Sequence, residues 1–192
     1  MKYGVRENLE GRDSFLSVES RIDHYRIYKS FVQHSNSIIA ELEAMRADGR
    51  GGSLLYQDRV RRLAFEVNGK TLHELYFENL GQGSLDVPSR LEQRIEKSFG
   101  SMEVWKSDFR HVCASRGEGW GILFDEPQEG RLLNLFINSN HVGQPFNMNP
   151  ILVLDLWEHA YIRDFGAHGR ANFVDKALSI IDFQVVDSRL SC

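Results

Sequence analysis

The chain has 192 residues, of which 42% are hydrophobic and 26% charged, and these globular proportions exclude a disordered or fibrous protein. The net charge of -4 argues against a nucleic-acid binder, which normally carries a basic face. No apolar run approaches the ~20 residues of a membrane-spanning helix. The N-terminal segment lacks the apolar core of a signal peptide, and Cys113 and Cys192 make no disulfide framework. We therefore expect a cytoplasmic protein that binds neither membrane nor nucleic acid.

The first half of the chain has the hydrophobic spacing of two long helices. Ser17 is predicted to cap the first helix, in which apolar residues recur at helical intervals over residues 18–42. The glycine-rich segment 48–52 should end it. A second helical stretch covers residues 55–80, with an interruption expected at residues 68–69. Two such helices around a glycine turn predict an α-hairpin.

The second half changes its pattern after a linker candidate at residues 81–88. We place a domain boundary there, between residues 1–82 and 83–192. Short helices, strands and a helical tail follow, at residues 89–99, 102–114, 120–124, 132–138, 151–156 and 171–190. This order predicts an α+β fold, an N-terminal long α-hairpin followed by a C-terminal lobe with a small three-stranded antiparallel sheet flanked by helices.

A candidate metal site begins where the third apolar run ends. Asp155 follows that run and His159 lies four residues later, so one backbone turn can bring both side chains to one cation. A buried Asp–His pair that only holds a turn is the more frequent meaning of such a pattern. His24 and His73, one on each long helix, are also more often core histidines when taken singly. Together the four residues offer three imidazoles and one carboxylate, which suit iron or manganese.

The segment Asp155–Tyr161 resembles the D-x-W-E-H-A-Y signature of the iron/manganese superoxide dismutases. Weaker similarities to that family follow in the same order along most of the chain, at residues 16–24, 73–80, 98–109 and 117–120. By position, the resemblance implies that one iron or manganese ion per subunit is bound by four residues, His24, His73, Asp155 and His159. The sequence does not decide between iron and manganese. We slightly favour iron.

The resemblance also implies an outer layer around the metal. Family members place a Gln or His beside the metal-bound solvent, either on the second ligand helix or in the loop after the second strand. The helix position is Gly69 here, so the loop residue His141 matches the histidine variant. His141 is then expected to hydrogen-bond the solvent and set its pKa. An exposed loop residue is the alternative for His141.

Further positions carry expected roles from the same resemblance. Trp120 and Trp157 would form an apolar wall, and Tyr76 would lie close enough to take part in catalysis. Glu158 matches the residue that reaches the last ligand histidine of a partner subunit, which implies a homodimer, with a tetramer as a further possibility. Arg170 is a candidate for the substrate funnel, or else an ordinary surface arginine at a helix start.

Several positions depart from the family pattern. Tyr28 stands where the family usually has a histidine, and Val32 stands where it has a tyrosine that guards the channel. A one-residue adjustment would put Phe31 at the second position, yet neither side chain can donate a proton. Ile162 replaces a usual aromatic residue that contacts the partner subunit. The metal ligands are thus retained while the gate and the dimer contact are altered.

The predicted activity is the conversion of superoxide to dioxygen and hydrogen peroxide. Three neutral imidazoles and one carboxylate contribute a charge of -1 to the site. If the site takes up one proton with each electron, its total charge stays constant. The main alternative is a non-catalytic or weakly active relative that binds metal or serves in an interaction. A different non-haem iron enzyme would need an open coordination position, for which this ligand set leaves little room.

Overall fold

The computed structural model describes residues 2–81 and 86–191. It contains seven α-helices and three strands: α1 (Val18–Ala47), α2 (Leu54–Glu78), α3 (Ser89–Phe99), α4 (Met102–Cys113), β1 (Gly119–Glu126), β2 (Arg131–Asn138), β3 (Asn149–Asp155), α5 (Glu158–Phe165), α6 (Arg170–Leu178) and α7 (Phe183–Ser188). The α+β fold with its long N-terminal helices is confirmed. The predicted boundary at residues 82–83, half of the predicted linker (residues 82–85) and Cys192 lie outside the described residues.

The α-hairpin begins each of its helices with a serine cap. The Ser17 hydroxyl accepts a hydrogen bond from Ser20 N (3.3 Å), and the Ser53 hydroxyl accepts one from Tyr56 N (3.2 Å). The helical spacing of apolar residues in α1 begins with Val18 and Ile22, which would place both on the buried face. In the structure both are exposed. Polar residues on that face break the hydrophobic pattern of the sequence, chiefly His24 and Ser35, both 0% exposed.

Helix α2 is continuous through Gly69, so the predicted interruption is wrong. A Cβ atom at this position would lie 2.5 Å from the ring of Phe31 and 2.7 Å from Nδ2 of Asn140. The glycine therefore serves close packing between α1, α2 and the loop after β2 rather than a helix break. This close approach brings three segments together beside the functional site.

The sheet has the strand order β2-β1-β3, with both pairings antiparallel. The central strand β1 is buried from Gly119 to Asp125. Strand β3 packs against α2, while α3 and α4 cover β2. Residue Trp120 of β1 lies opposite Asp155, the last residue of β3. The end of β3 therefore meets α2 where the candidate ligands are expected.

The C-terminal tail forms two helices instead of the single predicted one. Helix α6 ends at Leu178, and an isolated bridge joins Ile181 to Leu80. Asp182 then caps α7 by accepting hydrogen bonds from two backbone amides. A capping aspartate marks a new helix start, which the apolar spacing of the tail does not reveal.

The thiol of Cys113 is buried between α4 and the sheet. Gly121 of β1 makes room for it, because a Cβ atom there would lie 2.5 Å from the sulfur. Burial raises the pKa of the thiol to about 12. Among the described residues, none of the helices has the length and apolar content to cross a bilayer.

Candidate metal centre

Four side chains converge at the contact of the α-hairpin with the end of the sheet. His24 comes from α1, His73 from α2, Asp155 from the end of β3 and His159 from α5. One potential ligand atom of each lies within 4.8 Å of those of the other three. His24, His73 and Asp155 are buried, whereas the His159 side chain is 26% exposed.

The carboxylate of Asp155 is the centre of this group. Its Oδ2 lies 3.1 Å from Nε2 of His24, 3.5 Å from Nε2 of His73 and 3.2 Å from Nε2 of His159. Its Oδ1 accepts a hydrogen bond from the backbone N of Trp157 (2.9 Å), just before α5 begins. The turn after β3 thus fixes the carboxylate and directs the first turn of α5 toward the same point.

The two histidines of the hairpin are held differently on their outward nitrogens. Nδ1 of His73 bonds the carbonyl oxygen of Gly69, one turn earlier on α2 (2.7 Å). Nδ1 of His24 lies 3.2 Å from Oδ2 of Asp13, a carboxylate that is itself 0% exposed. In both residues Nε2 therefore faces the centre.

Aromatic rings enclose the cluster. The ring of His73 lies 5.0 Å from Trp120 and 5.1 Å from Phe31, measured between ring centroids. His24 lies 5.0 Å from both Tyr76 and Phe77. Trp157 stacks with His159 at 6.1 Å. Trp120, Trp157 and Tyr76 thus each contact a histidine of the cluster.

Burial and charge together set the protonation of the cluster. Burial raises the pKa of Asp155, but His159 and His24 outweigh it and hold this pKa well below its usual range. Burial lowers the pKa of His73 to about 3, although the charge of Asp155 opposes the shift. Burial also lowers the pKa of His24, yet the contacts with Asp13 and Asp155 raise it to about 9. The site thus holds a permanent carboxylate and a neutral His73.

These features fit a bound cation. Nε2 of His73 is buried and has no hydrogen-bond partner among the described residues, although its lone pair points at the cluster. Leaving such a nitrogen unpaired in the interior costs free energy. Three imidazoles and one carboxylate around one point can compensate it by coordinating iron or manganese.

The structure corrects the placement of His141. Ser139 adopts a left-handed backbone conformation (φ 55°) in a tight turn that pairs Asn138 with Val142. This turn directs Asn140 inward and leaves His141 exposed. Asn140 is 1% exposed and accepts a hydrogen bond from Nε1 of Trp120 (3.0 Å). The resemblance locates the loop correctly, but its inward residue is one position earlier.

Arg170 is also placed differently from the expectation of a substrate funnel. Its guanidinium donates hydrogen bonds to the carbonyl oxygens of Ser115 (2.7 Å), Gly117 (2.6 Å) and Leu156 (2.6 Å). It also lies over the ring of Tyr161. These contacts fasten the loop before β1 to the segment before α5 and commit three of the five N–H donors of the guanidinium to backbone carbonyls.

The two gate positions separate in the structure. Val32 is 2% exposed and belongs to the core, whereas Phe31 faces His73. Of these two residues, only Phe31 contacts the cluster. Tyr28 is fully buried and donates a hydrogen bond to Glu74 (2.8 Å), while it accepts one from Arg6 N (3.1 Å). It links the two helices to the N-terminal segment.

Two residues beside the cluster were missed by sequence reasoning. Asn140 directly precedes His141, and a one-residue difference in the turn decides which of the two points inward. Asp13 lies in an irregular segment before α1, where no periodicity distinguishes a buried carboxylate from an exposed one. Glu158 is exposed on α5 next to His159.

Comparison with known proteins supports the same assignment. The model of the family described as iron/manganese superoxide dismutases, C-terminal domain, matches residues 87–189. An iron superoxide dismutase of Pyrobaculum aerophilum is 29% identical over 184 residues, which are 93% of this chain and 85% of that protein. A manganese superoxide dismutase of Haloferax volcanii is 30% identical over 161 residues, 83% of this chain and 79% of that protein.

A third relative, an iron superoxide dismutase of Cupriavidus metallidurans, is 38% identical over 128 residues, 65% of this chain and 63% of that protein. The relatives include proteins named for each metal, so they do not choose between iron and manganese. The family match covers more than half of the chain and includes Asp155 and His159. The chain therefore belongs to the iron/manganese superoxide dismutases.

Proposed function

We propose that the protein is a superoxide dismutase with one iron or manganese ion per subunit, held by His24, His73, Asp155 and His159. It converts superoxide to dioxygen and hydrogen peroxide. The proposal rests on the convergence of four ligand atoms from α1, α2, β3 and α5 within 4.8 Å of one another. This donor set suits iron and manganese in both oxidation states.

A bound iron or manganese ion supplies the one-electron change that oxidises one superoxide and reduces the next. Asp155 is the only anionic residue among the four ligands, and it is 0% exposed. The total charge of the buried site therefore has to stay nearly constant during turnover. An unbalanced charge in such a low-dielectric interior is costly, so each electron must arrive with a proton. The side chains around the site must therefore hold and pass protons as well as bind the ion.

Asn140 takes the role that the sequence suggested for His141, that of orienting solvent in the site. Its Oδ1 accepts the indole N–H of Trp120, and its Nδ2 donates to the carbonyl oxygen of Phe65 (3.2 Å). Its second amide hydrogen remains available for a solvent molecule. Because an amide does not titrate, Asn140 orients the proton carrier without exchanging a proton itself.

A second candidate function is that of a metal-binding relative with little or no activity. The altered gate favours it, because neither Phe31 nor Val32 can donate a proton. The hydroxyl of Tyr28 is committed to Glu74 and cannot replace the usual donor. Both functions share the same ligands and differ only in the rate of proton delivery.

Metal content and superoxide consumption, measured on one preparation loaded with iron or with manganese, separate the two functions. We expect about one ion per chain and rapid consumption of superoxide. Asp155→Asn should lose both, whereas Asp125→Asn, a buried carboxylate at the other end of β1, should keep both. Stoichiometric metal without consumption would favour the second function, and absence of metal from the unaltered protein would contradict both.

We also propose a homodimer formed through α5, with a tetramer as the alternative assembly. The exposed positions of Glu158 and Ile162 beside the partly exposed His159 support it. Ile162→Asp should shift sedimentation toward a monomer, while Val60→Asp, at a similarly exposed apolar residue of α2, should not. An unchanged assembly in Ile162→Asp would contradict the interface.

We propose a cytoplasmic location, because Cys113 is a free, buried thiol and such unpaired cysteines are usual in a reducing compartment. Fractionation of cells that express the tagged protein tests this, and recovery in a secreted or membrane fraction would contradict it.

A further inference from the structure

We infer that Asp13 is a positioning residue of the metal centre, whose carboxylate accepts the Nδ1 proton of His24 and so presents Nε2 of that ring to the ion. The inference rests on the ligand set proposed above. Asp13 would then be a second buried carboxylate that contributes negative charge to the site without being a ligand.

Asp13 lies between the single 3-10 turn at Glu7–Leu9 and the start of α1, and its side chain is fully buried. Neither of its carboxylate oxygens has a hydrogen-bond donor among the described residues. A buried carboxylate without a partner is strongly destabilising. The polar contact that can compensate it is Nδ1 of His24, 3.2 Å from Oδ2, which likewise has no other partner there.

The opposite side of the same ring determines where its proton must be. Nε2 of His24 lies 3.1 Å from Oδ2 of Asp155, on the side of the candidate ion. A neutral imidazole carries one proton, so a ring that gives the Nε2 lone pair to a metal keeps its proton on Nδ1. That proton then points at Asp13.

His73 provides an internal comparison. Its Nδ1 faces the neutral carbonyl oxygen of Gly69, whereas Nδ1 of His24 faces a full negative charge. A carboxylate behind a ligand histidine fixes its orientation and makes it a stronger donor. Asp13 should therefore strengthen metal binding and favour the oxidised ion, two effects that a merely structural carboxylate would not have.

Tyr76 extends this contact. Its ring lies 5.0 Å from that of His24, and its buried hydroxyl has no hydrogen-bond partner among the described residues. Burial, and after it the charges of Asp13 and Asp155, raise the pKa of this hydroxyl well above its usual value. The hydroxyl is thus a buried donor without a partner on a ring that packs against His24.

The test replaces the charge and keeps the shape. In Asp13→Asn, the amide oxygen can still accept the Nδ1 proton but carries no charge. We expect the affinity for Mn²⁺, measured by competition with a chelator, to fall by about 10–100-fold. The midpoint potential of the iron form should rise, by about 59 mV for each tenfold change in the preference for the oxidised ion.

Asp125→Asn is the matched control, since Asp125 is also 0% exposed but pairs with Arg94 at the far end of β1. It should lower the free energy of unfolding without changing the Mn²⁺ affinity or the potential. Unchanged affinity and potential in Asp13→Asn, or equal losses in the two variants, would overturn the inference. Failure of the unaltered protein to bind Mn²⁺ would overturn the ligand set as well.

A measurement without substitution covers the case in which Asp13→Asn does not fold. In the unaltered protein loaded with Zn²⁺ as a diamagnetic ion, nitrogen-detected NMR reports which imidazole nitrogen carries the proton. We expect the Nδ1 proton of His24 to resonate further downfield than that of His73, because its acceptor is charged. A His24 ring without a proton on Nδ1, or without that difference, would contradict the role of Asp13.

Discussion

At the scale of single residues, the metal centre is defined by the contacts that its side chains make on their outward atoms. A carboxylate stands behind His24, a backbone carbonyl behind His73, and a backbone amide holds the second oxygen of Asp155. These contacts fix each ligand before an ion arrives, and such preorganisation lowers the cost of binding. His159 is the exception, since it is partly exposed next to the proposed dimer contact.

Phe31 allows a direct test of the altered gate. Phe31→Tyr adds a hydroxyl to a ring that lies 5.1 Å from His73 and beside Asn140. We expect turnover of superoxide to rise at least about tenfold, because general acid catalysis contributes about 10²–10⁴-fold where it operates. Stopped-flow kinetics with a solvent isotope effect measure the change.

Phe65→Tyr is the control for this substitution, because its ring lies 5.8 Å from Phe31 but next to the exposed His141. Turnover in that variant should stay near the unaltered value. Equal turnover and equal isotope effects in Phe31→Tyr and the unaltered protein would exclude proton delivery as the missing function.

The ligands could be predicted from sequence because their chemistry survives in a short pattern, whereas their supports could not. The order Asp155-x-Trp157-Glu158-His159 fixes two ligands within one turn. Which residue of the loop points inward depends instead on the left-handed backbone conformation of Ser139. The family pattern is shifted by one residue at this loop and does not indicate that conformation. The resemblance therefore identified the loop and misplaced its inward side chain.

At the scale of secondary-structure elements, α2 is the scaffold on which the site is built. Gly69→Ala would force a Cβ atom to 2.5 Å from the ring of Phe31. Overpacking of this kind costs about 1–3 kcal/mol, which exceeds the gain of about 1 kcal/mol in helix propensity. We expect a lower free energy of unfolding in denaturant titrations and a changed activity.

Gly52→Ala is the comparison for that variant, since a Cβ atom there meets nothing within 4 Å. It should leave the free energy of unfolding unchanged or raise it by about 0.4–1 kcal/mol. A Gly69→Ala protein as stable and as active as Gly52→Ala would show that the close packing at α2 has no energetic role.

The end of α2 is tied to the C-terminus by an ion pair that should respond to pH. Arg189 donates a hydrogen bond to Glu78 (2.7 Å), and Arg6 contacts the same carboxylate. Burial raises the pKa of Glu78, but Arg189 and Arg6 outweigh it and lower this pKa. The folded pKa therefore lies below the unfolded value of about 4.3, so the stabilisation is present above that pH and is lost as pH falls through the folded pKa.

Glu78→Gln should accordingly lower the free energy of unfolding by about 1–2 kcal/mol at pH 7. The difference from the unaltered protein should shrink below about pH 4, where the carboxylate of the unaltered protein becomes protonated. Urea titrations at several pH values measure it, with Glu43→Gln, at an exposed position of α1, as the control. A difference that does not depend on pH would contradict this role of the pair.

Helices with a serine cap and a glycine end were predictable because their signals are local. Ser17 and the glycines after Asp48 mark the ends of α1 as expected. The division of the tail into α6 and α7 depends on the bridge between Ile181 and Leu80, a contact between distant segments. Local sequence patterns cannot indicate a contact of this kind. For the same reason they do not show that Val18 and Ile22, at the start of α1, are exposed.

At the scale of the whole molecule, the metal centre joins the hairpin to the sheet. Its ligands span the chain from His24 to His159 and come from four elements. An ion that binds only the folded chain should stabilise it by about 4 kcal/mol at a thousandfold excess over Kd. For a chain of this size that corresponds to a rise in melting temperature of about 8–16 °C.

Calorimetry of the metal-free and loaded forms measures this rise. Asp155→Asn should melt at the same temperature with and without added metal, because it lacks the central ligand. A loaded protein that melts no higher than the metal-free one would show that the ion does not link the two halves of the chain.

The buried position of Cys113 has a consequence for the survival of the enzyme. Hydrogen peroxide, which the proposed reaction releases, oxidises thiolates far faster than thiols. Because burial raises the pKa of the Cys113 thiol to about 12, this thiol stays protonated at neutral pH. The packing of this sulfur against Gly121 thus protects the Cys113 thiol from the product of the proposed reaction.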